Sequence, residues 1–97
     1  MNDSETNGSA TIDAVEFYWR PGCPFCAMLE RDLAVAGIPT TKRNIWDDPS
    51  AAAFVRSVAD GNETVPTIRV ADQAMVNPPI AEVEALLSEV APHLVQN

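Results

Sequence analysis

The sequence predicts an α/β fold, a four-stranded mixed sheet with helices on both faces in the order β-α-β-α-β-β-α. Three observations predict it. A β-branched and aromatic run, residues 14–19, ends just before Cys23-Pro24-Phe25-Cys26, where an apolar repeat of helical period begins. Two further extended runs, 39–45 and 65–70, are separated by a second helical segment. The last apolar repeat, Ile80, Val83, Leu86, Leu87 and Val90, marks one face of an amphipathic helix.

Each element follows from its residues. Residues 1–13 are polar and acidic, and a flexible tail is expected because nothing there can pack. Ala14 to Trp19 reads as a buried strand. The first helix runs from Pro24 to Ala36, with Phe25, Met28, Leu29 and Leu33 at helical spacing and Gly37 as its stop. Pro39 to Ile45 is the second strand, parallel to the first because a helix joins them. Asp47-Asp48-Pro49 opens the second helix, an acidic cap before a proline. Ala52, Val55 and Val58 form its buried face and Gly61 ends it. Val65 to Val70 is the third strand, Ala71 to Ala74 a hairpin turn, and Met75-Val76 a short edge strand. Pro92 terminates the last helix. One domain over 14–92 is expected, with 93–97 as a C-terminal tail.

Bulk properties narrow the function. Fourteen acidic residues against six basic ones give a net charge of −8 over 97 residues. That balance argues against nucleic acid or an anionic membrane as partner, since phosphates need a basic surface. No apolar run approaches the roughly 18 residues of a membrane helix, and the N-terminus has no basic or apolar leader. A cytoplasmic monomer is expected. In that compartment structural disulfides are rare, and a bridge across so short a loop constrains the unfolded chain by only about 2 kcal/mol. A Cys-x-x-Cys there is catalytic or metal-binding.

The catalytic reading assigns unequal roles. With Cys23 as N-cap and Pro24 in the first turn, the amides of Phe25 and Cys26 point towards the Cys23 sulfur. Those donors and the positive helix end favour thiolate. Arg20, three residues upstream, adds positive charge. Cys23 is then the exposed nucleophile, and Cys26, one turn further in, the resolving thiol. A zinc site needs about four ligands, and His93 is the single histidine, so no metal is expected. Two buried structural cysteines are the remaining plain alternative. Thr64-Val65-Pro66 is the second signal. If the Val65-Pro66 bond is cis, the Val65 backbone turns towards the helix N-terminus and can pair with a substrate cysteine as an added strand residue.

Phe17-Tyr18-Trp19-Arg20-Pro21-Gly22-Cys23-Pro24-Phe25-Cys26 resembles the active-site stretch of the glutaredoxin branch of the thioredoxin superfamily, and Thr64-Val65-Pro66-Thr67 resembles its cis-proline motif. The resemblance spans about residues 14–91 and implies a thioredoxin-like, glutaredoxin-type fold. It also implies reduction of disulfides, above all mixed disulfides between a protein and a small thiol. Glutathione-using members follow the hairpin with Gly-Gly and a pair of acids. Here the stretch is Val76-Asn77-Pro78-Pro79-Ile80-Ala81-Glu82, and two prolines remove backbone donors that a carboxylate needs. With Ala51-Ala52-Ala53-Phe54-Val55 and Gly61-Asn62-Glu63-Thr64, this variant is similar to actinobacterial mycoredoxins.

That similarity implies mycothiol, an acetylated cysteine with a sugar–inositol head, as co-substrate, and no tightly bound cofactor. It also implies disulfide or mixed-disulfide proteins as substrates and a flavin-dependent thiol reductase upstream. The substrate-contacting candidates are Arg20, Pro24, Phe25, Thr64, Val65, Pro66 and Asn77. Trp19 packs beside the turn or, less favoured, stacks on the sugar head. A dithiol redoxin acting on protein disulfides such as that of ribonucleotide reductase is the nearby alternative. A non-catalytic redox-fold adaptor or an iron–sulfur carrier is the distant one.

Overall fold

The computed structural model describes residues 12–95, so most of the expected N-terminal tail lies outside the described residues. The elements are β1 (Val15–Trp19), α1 (Pro24–Val35), β2 (Thr40–Asn44), α2 (Pro49–Val58), β3 (Thr67–Val70), β4 (Gln73–Val76) and α3 (Ile80–Val90). The sheet order is β2-β1-β3-β4. β1 pairs parallel with β2, from Val15 opposite Thr40 to Trp19 opposite Asn44. It pairs antiparallel with β3, which pairs antiparallel with β4. The predicted mixed sheet and element order are those observed.

Alternation along β1 builds two cores. Val15 and Phe17 are fully buried on one face, in a cluster with Leu29 and Leu33 of α1, Ile68 and Val70 of β3, and Val83 and Leu87 of α3. Tyr18 points to the other face, where Ile45 joins Ala51, Ala52 and Val55 of α2. Two helices cover one face and a single helix the other. β1, buried on both sides, sits in the middle of the sheet, as parallel pairing requires.

Helix ends show why the chain turns where it does. At the C-terminus of α1 the Ile38 amide donates to the Leu33 carbonyl at 2.9 Å and the Gly37 amide to that of Ala34 at 3.0 Å. This is the Schellman pattern, and Gly37 supplies its left-handed residue with φ +74°. Buried Leu33 and Ile38 flank it on the core side. At the N-terminus of α2 the Asp48 carboxylate accepts from the amides of Ser50 (3.0 Å) and Ala51 (3.2 Å) and from the Ser50 hydroxyl (2.7 Å).

Two strand starts differ from expectation by two residues. β3 begins at Thr67, two residues late, because Pro66 has no amide to give the ladder. β4 begins at Gln73 because Val70 pairs with Gln73, leaving a turn of only Ala71 and Asp72. The polar Gln73 and small Ala74 hid an edge strand whose solvent side needs no apolar residues. Packing also extends past 14 and 92. Pro92–Leu94 form a 3-10 turn that returns Leu94 to the core, Ile12 packs on the same cluster, and exposed His93 joins the two ends through Nε2, 2.7 Å from the Ile12 carbonyl oxygen.

Candidate redox site

Strand β1 delivers Arg20-Pro21-Gly22 and then Cys23 to the N-terminus of α1. Cys23 is the N-cap, with extended φ −106° and ψ 103°, and Pro24 occupies the first turn. The Cys26 amide donates to the Cys23 sulfur at 3.2 Å. Of the two amides expected there, only this one makes a hydrogen bond, matching the usual reach of a cap to the third helical residue. The two sulfurs are joined as a disulfide, with Cα atoms 5.2 Å apart.

The expected contrast in exposure is small, since Cys23 is 8% exposed and Cys26 3%. The Cys23 sulfur is walled on one side by the loop that carries Pro66. The exposed residues of the motif are Pro24 and Phe25, the latter at 62%.

That wall is the second predicted element. The Val65-Pro66 bond is cis, and the Val65 carbonyl oxygen lies 3.8 Å from the Cys23 sulfur. Among the described residues, the Val65 amide has no backbone partner. Thr64 anchors the loop through its carbonyl, which accepts from the Thr67 hydroxyl at 2.8 Å. Asn77 anchors it from the other side, its amide donating to the Pro66 carbonyl at 2.7 Å. Asn77 has φ +50°, a left-handed conformation that asparagine tolerates better than most residues. Beside it a groove of about 250 Å³ runs between α1 and α3, lined by Phe25, Met28, Asn77, Pro78 and Pro79 among others.

Arg20 folds back over its own turn. Its guanidinium donates to the Pro21 carbonyl at 3.0 Å and stands 5.6 Å from the Trp46 ring centroid, and among the described residues none of its hydrogen bonds reaches Cys23. Trp19 takes its plainer role. It is partly buried against the α1–α3 core, and Lys42, itself paired with Glu30 at 2.9 Å, lies over its ring at 4.6 Å. Trp46, which sequence reasoning passed over, is 62% exposed in the turn before α2. The available signal was an aromatic inside the polar run Asn44-Ile45-Trp46-Asp47-Asp48. No group of three or more metal-ligating side chains forms among the described residues.

Away from the cysteines, Glu16 accepts from Arg43 at 2.9 Å and from the Tyr18 hydroxyl at 3.0 Å. Burial pushes the Glu16 carboxyl up, but the Arg43 and Tyr18 hydrogen bonds and the charges of Arg43 and Arg69 together hold it below its ordinary value. Burial, then the bond to Glu16, pushes the Tyr18 hydroxyl up.

Comparison with known proteins agrees with this geometry. The glutaredoxin family model matches residues 15–75. The chain belongs to the glutaredoxin family. A glutaredoxin-named protein of Mycobacterium tuberculosis H37Rv is 37% identical over 79 residues, covering 80% of this chain and 94% of the relative. Mycoredoxin 1 of Corynebacterium glutamicum is 36% identical over 78 residues, covering 79% and 96%. The crystal structure of a glutaredoxin from Archaeoglobus fulgidus superposes with a TM-score of 0.66 at 18% identity, over 81% of this chain and 90% of that one, which bears on the fold alone. Glutaredoxin membership implies a redox oxidoreductase acting on thiols and disulfides. No helix among the described residues is long and apolar enough to cross a membrane.

Proposed function

We propose that this glutaredoxin reduces mixed disulfides between proteins and mycothiol, with Cys23 as nucleophile. The supporting observation is the Cys23 sulfur at a helix N-terminus, 3.8 Å from the carbonyl of a strand-like Val65. A cysteine whose N–H and C=O pair with the Val65 C=O and N–H brings its sulfur to Cys23. The Cys23 thiolate attacks the mycothiol sulfur, the S–S bond of the substrate breaks, and the protein leaves as a thiolate that solvent protonates. A second mycothiol thiolate then attacks the mycothiol sulfur on Cys23, giving mycothiol disulfide and free Cys23. Alternatively Cys26 attacks the Cys23 sulfur and releases mycothiol. The resulting Cys23–Cys26 disulfide takes two electrons from a flavin-dependent thiol reductase.

The preference for mycothiol over glutathione rests on the Asn77-Pro78-Pro79 segment. Pro78 and Pro79 offer no amides, and Pro79, the N-cap of α3, gives the helix no side-chain cap. A γ-glutamyl zwitterion finds no acidic pair there, whereas an N-acetyl group carries no charge to satisfy. The similarity to Mycoredoxin 1 supports the same choice. The second reading, reduction of protein disulfides by the dithiol route, needs Cys23 and Cys26 to close a disulfide, which their Cα separation of 5.2 Å permits.

Turnover of a mycothiol mixed disulfide against the matching glutathione one tests the assignment. A kcat/KM at least about ten-fold higher for mycothiol is expected; equal values overturn the preference. Cys26→Ser separates the routes: retained turnover of the mixed disulfide selects the monothiol route, and its loss selects the dithiol one.

A further inference from the structure

We propose that Trp46, flanked by Arg20, is the subsite for a hydroxyl-rich cyclic head group carried on the carboxyl side of the small thiol's cysteine. This deepens the mycothiol reading and rests on it. The direction comes from the Val65 backbone. One residue can bond both its N–H and its C=O to the same partner residue only in an antiparallel pair. The cysteine of the small thiol therefore runs antiparallel to Val65. Its N-acyl group lies beside Pro66, where Asn77 is anchored. Its carbonyl substituent leaves past Thr64.

Val65 packs against both cores, and the second of these contains Ile45 and the first turn of α2. Trp46 follows Ile45 directly. On the cysteine side, Arg20 spans the gap, since its guanidinium stands 5.6 Å from the Trp46 ring centroid and within 3.9 Å of where a Gly22 Cβ would lie. Gly22 precedes Cys23. A substituent leaving the cysteine carbonyl on this side meets Arg20 and then Trp46.

Trp46 is also held in place. Ile45 is buried and its amide donates to the Trp19 carbonyl at 2.9 Å. The Trp46 amide donates to Asn44 Oδ1 at 2.9 Å, and the amides of Asp47 and Asp48 both reach the Asn44 carbonyl at 3.1 Å. A fixed backbone therefore presents an indole that is 62% exposed. An aromatic face stacks on the C–H side of a sugar ring, and a guanidinium beside it donates to hydroxyls. Such a platform takes a neutral polyol.

The test uses the full chain and two mixed disulfides of one peptide. The first carries mycothiol; the second carries N-acetylcysteine methylamide, which keeps the acetyl-cysteine and lacks the head. The readout is the ratio of kcat/KM for the two. Both substrates share one enzyme sample, so a misfolded fraction cancels. Trp46→Ala is expected to lower the ratio roughly five-fold through KM, and Trp46→Phe to keep most of it. An unchanged ratio overturns the subsite even if wild-type protein prefers mycothiol to glutathione. So does an equal loss on both substrates, which would mark Trp46 as a contact for the peptide. Wild-type protein with no preference for mycothiol over glutathione overturns the underlying reading instead.

Discussion

Two helices of this protein start with the same device and use it differently. α1 opens with Cys23-Pro24 and α2 with Asp48-Pro49, and both caps have extended backbones, φ −106° and ψ 103° against φ −128° and ψ 100°. Asp48 accepts from two amides and one hydroxyl. The Ser50 hydroxyl and the Ala51 and Ser50 amides hold its carboxyl below the usual carboxylate range. Cys23 accepts from one amide, at 3.2 Å. A helix N-terminus stabilises an anion that caps it, a carboxylate at Asp48 and, once the bond to Cys26 is reduced, a thiolate at Cys23. A carboxylate there locks the turn. The Cys23 sulfur has one amide donor where Asp48 has two and a hydroxyl, so it is less fully held by its helix.

The largest effect that can break this comparison comes from Cys23→Ser. Serine is a good N-cap, so the melting temperature should stay within a few degrees, while mixed-disulfide turnover falls roughly 10⁴-fold or more. A parallel loss of folding, read by thermal melting, would mean that Cys23 is there to build the helix. Next in size is Asp48→Ala, which removes the better-satisfied cap. Its expected result is a melting temperature lower by about 5 °C, with kcat/KM within about two-fold of wild type. An unshifted melting temperature would show that the second cap is redundant.

The smallest effect concerns acid. Glu16 and Asp48 both have folded-state pKa values below their ordinary 4.5 and 3.8. Their stabilising contributions are complete above those unfolded-state values and disappear as pH falls through the folded-state ones. Wild-type stability to urea should therefore decline below about pH 4.5, and Glu16→Gln should flatten the upper part of that decline. A Glu16→Gln variant with the same pH slope as wild type would remove the Arg43–Glu16 pair from the account.

Local chemistry made much of the molecule legible. Asp48-Pro49 and Cys23-Pro24 announced their helices, Gly37 its stop, and the apolar period of 80–90 the face of α3. Local rules failed where the answer depended on a distant partner. Gln73 and Ala74 look like turn residues until Val70 and Arg69 pair with them. Leu94 looks like a tail until the 3-10 turn brings it to the core. Trp19 took the packing role its sequence favoured, beneath Lys42, while Trp46, to which local rules gave no part, was left in water by its turn.

The sequence by itself determined the glutaredoxin element order, the Cys23–Cys26 pair and its unequal placement along the helix, because periodicity, caps and proline act within a few residues. Only the tertiary structure decided what stands around the pair. It brought Val65 within 3.8 Å of Cys23 across 42 residues of chain, tied Asn77 to Pro66, and set Arg20 beside Trp46. Those contacts join separate elements across the C-terminal end of β1, and their geometry follows from sheet register and helix packing, which short-range chemistry does not encode.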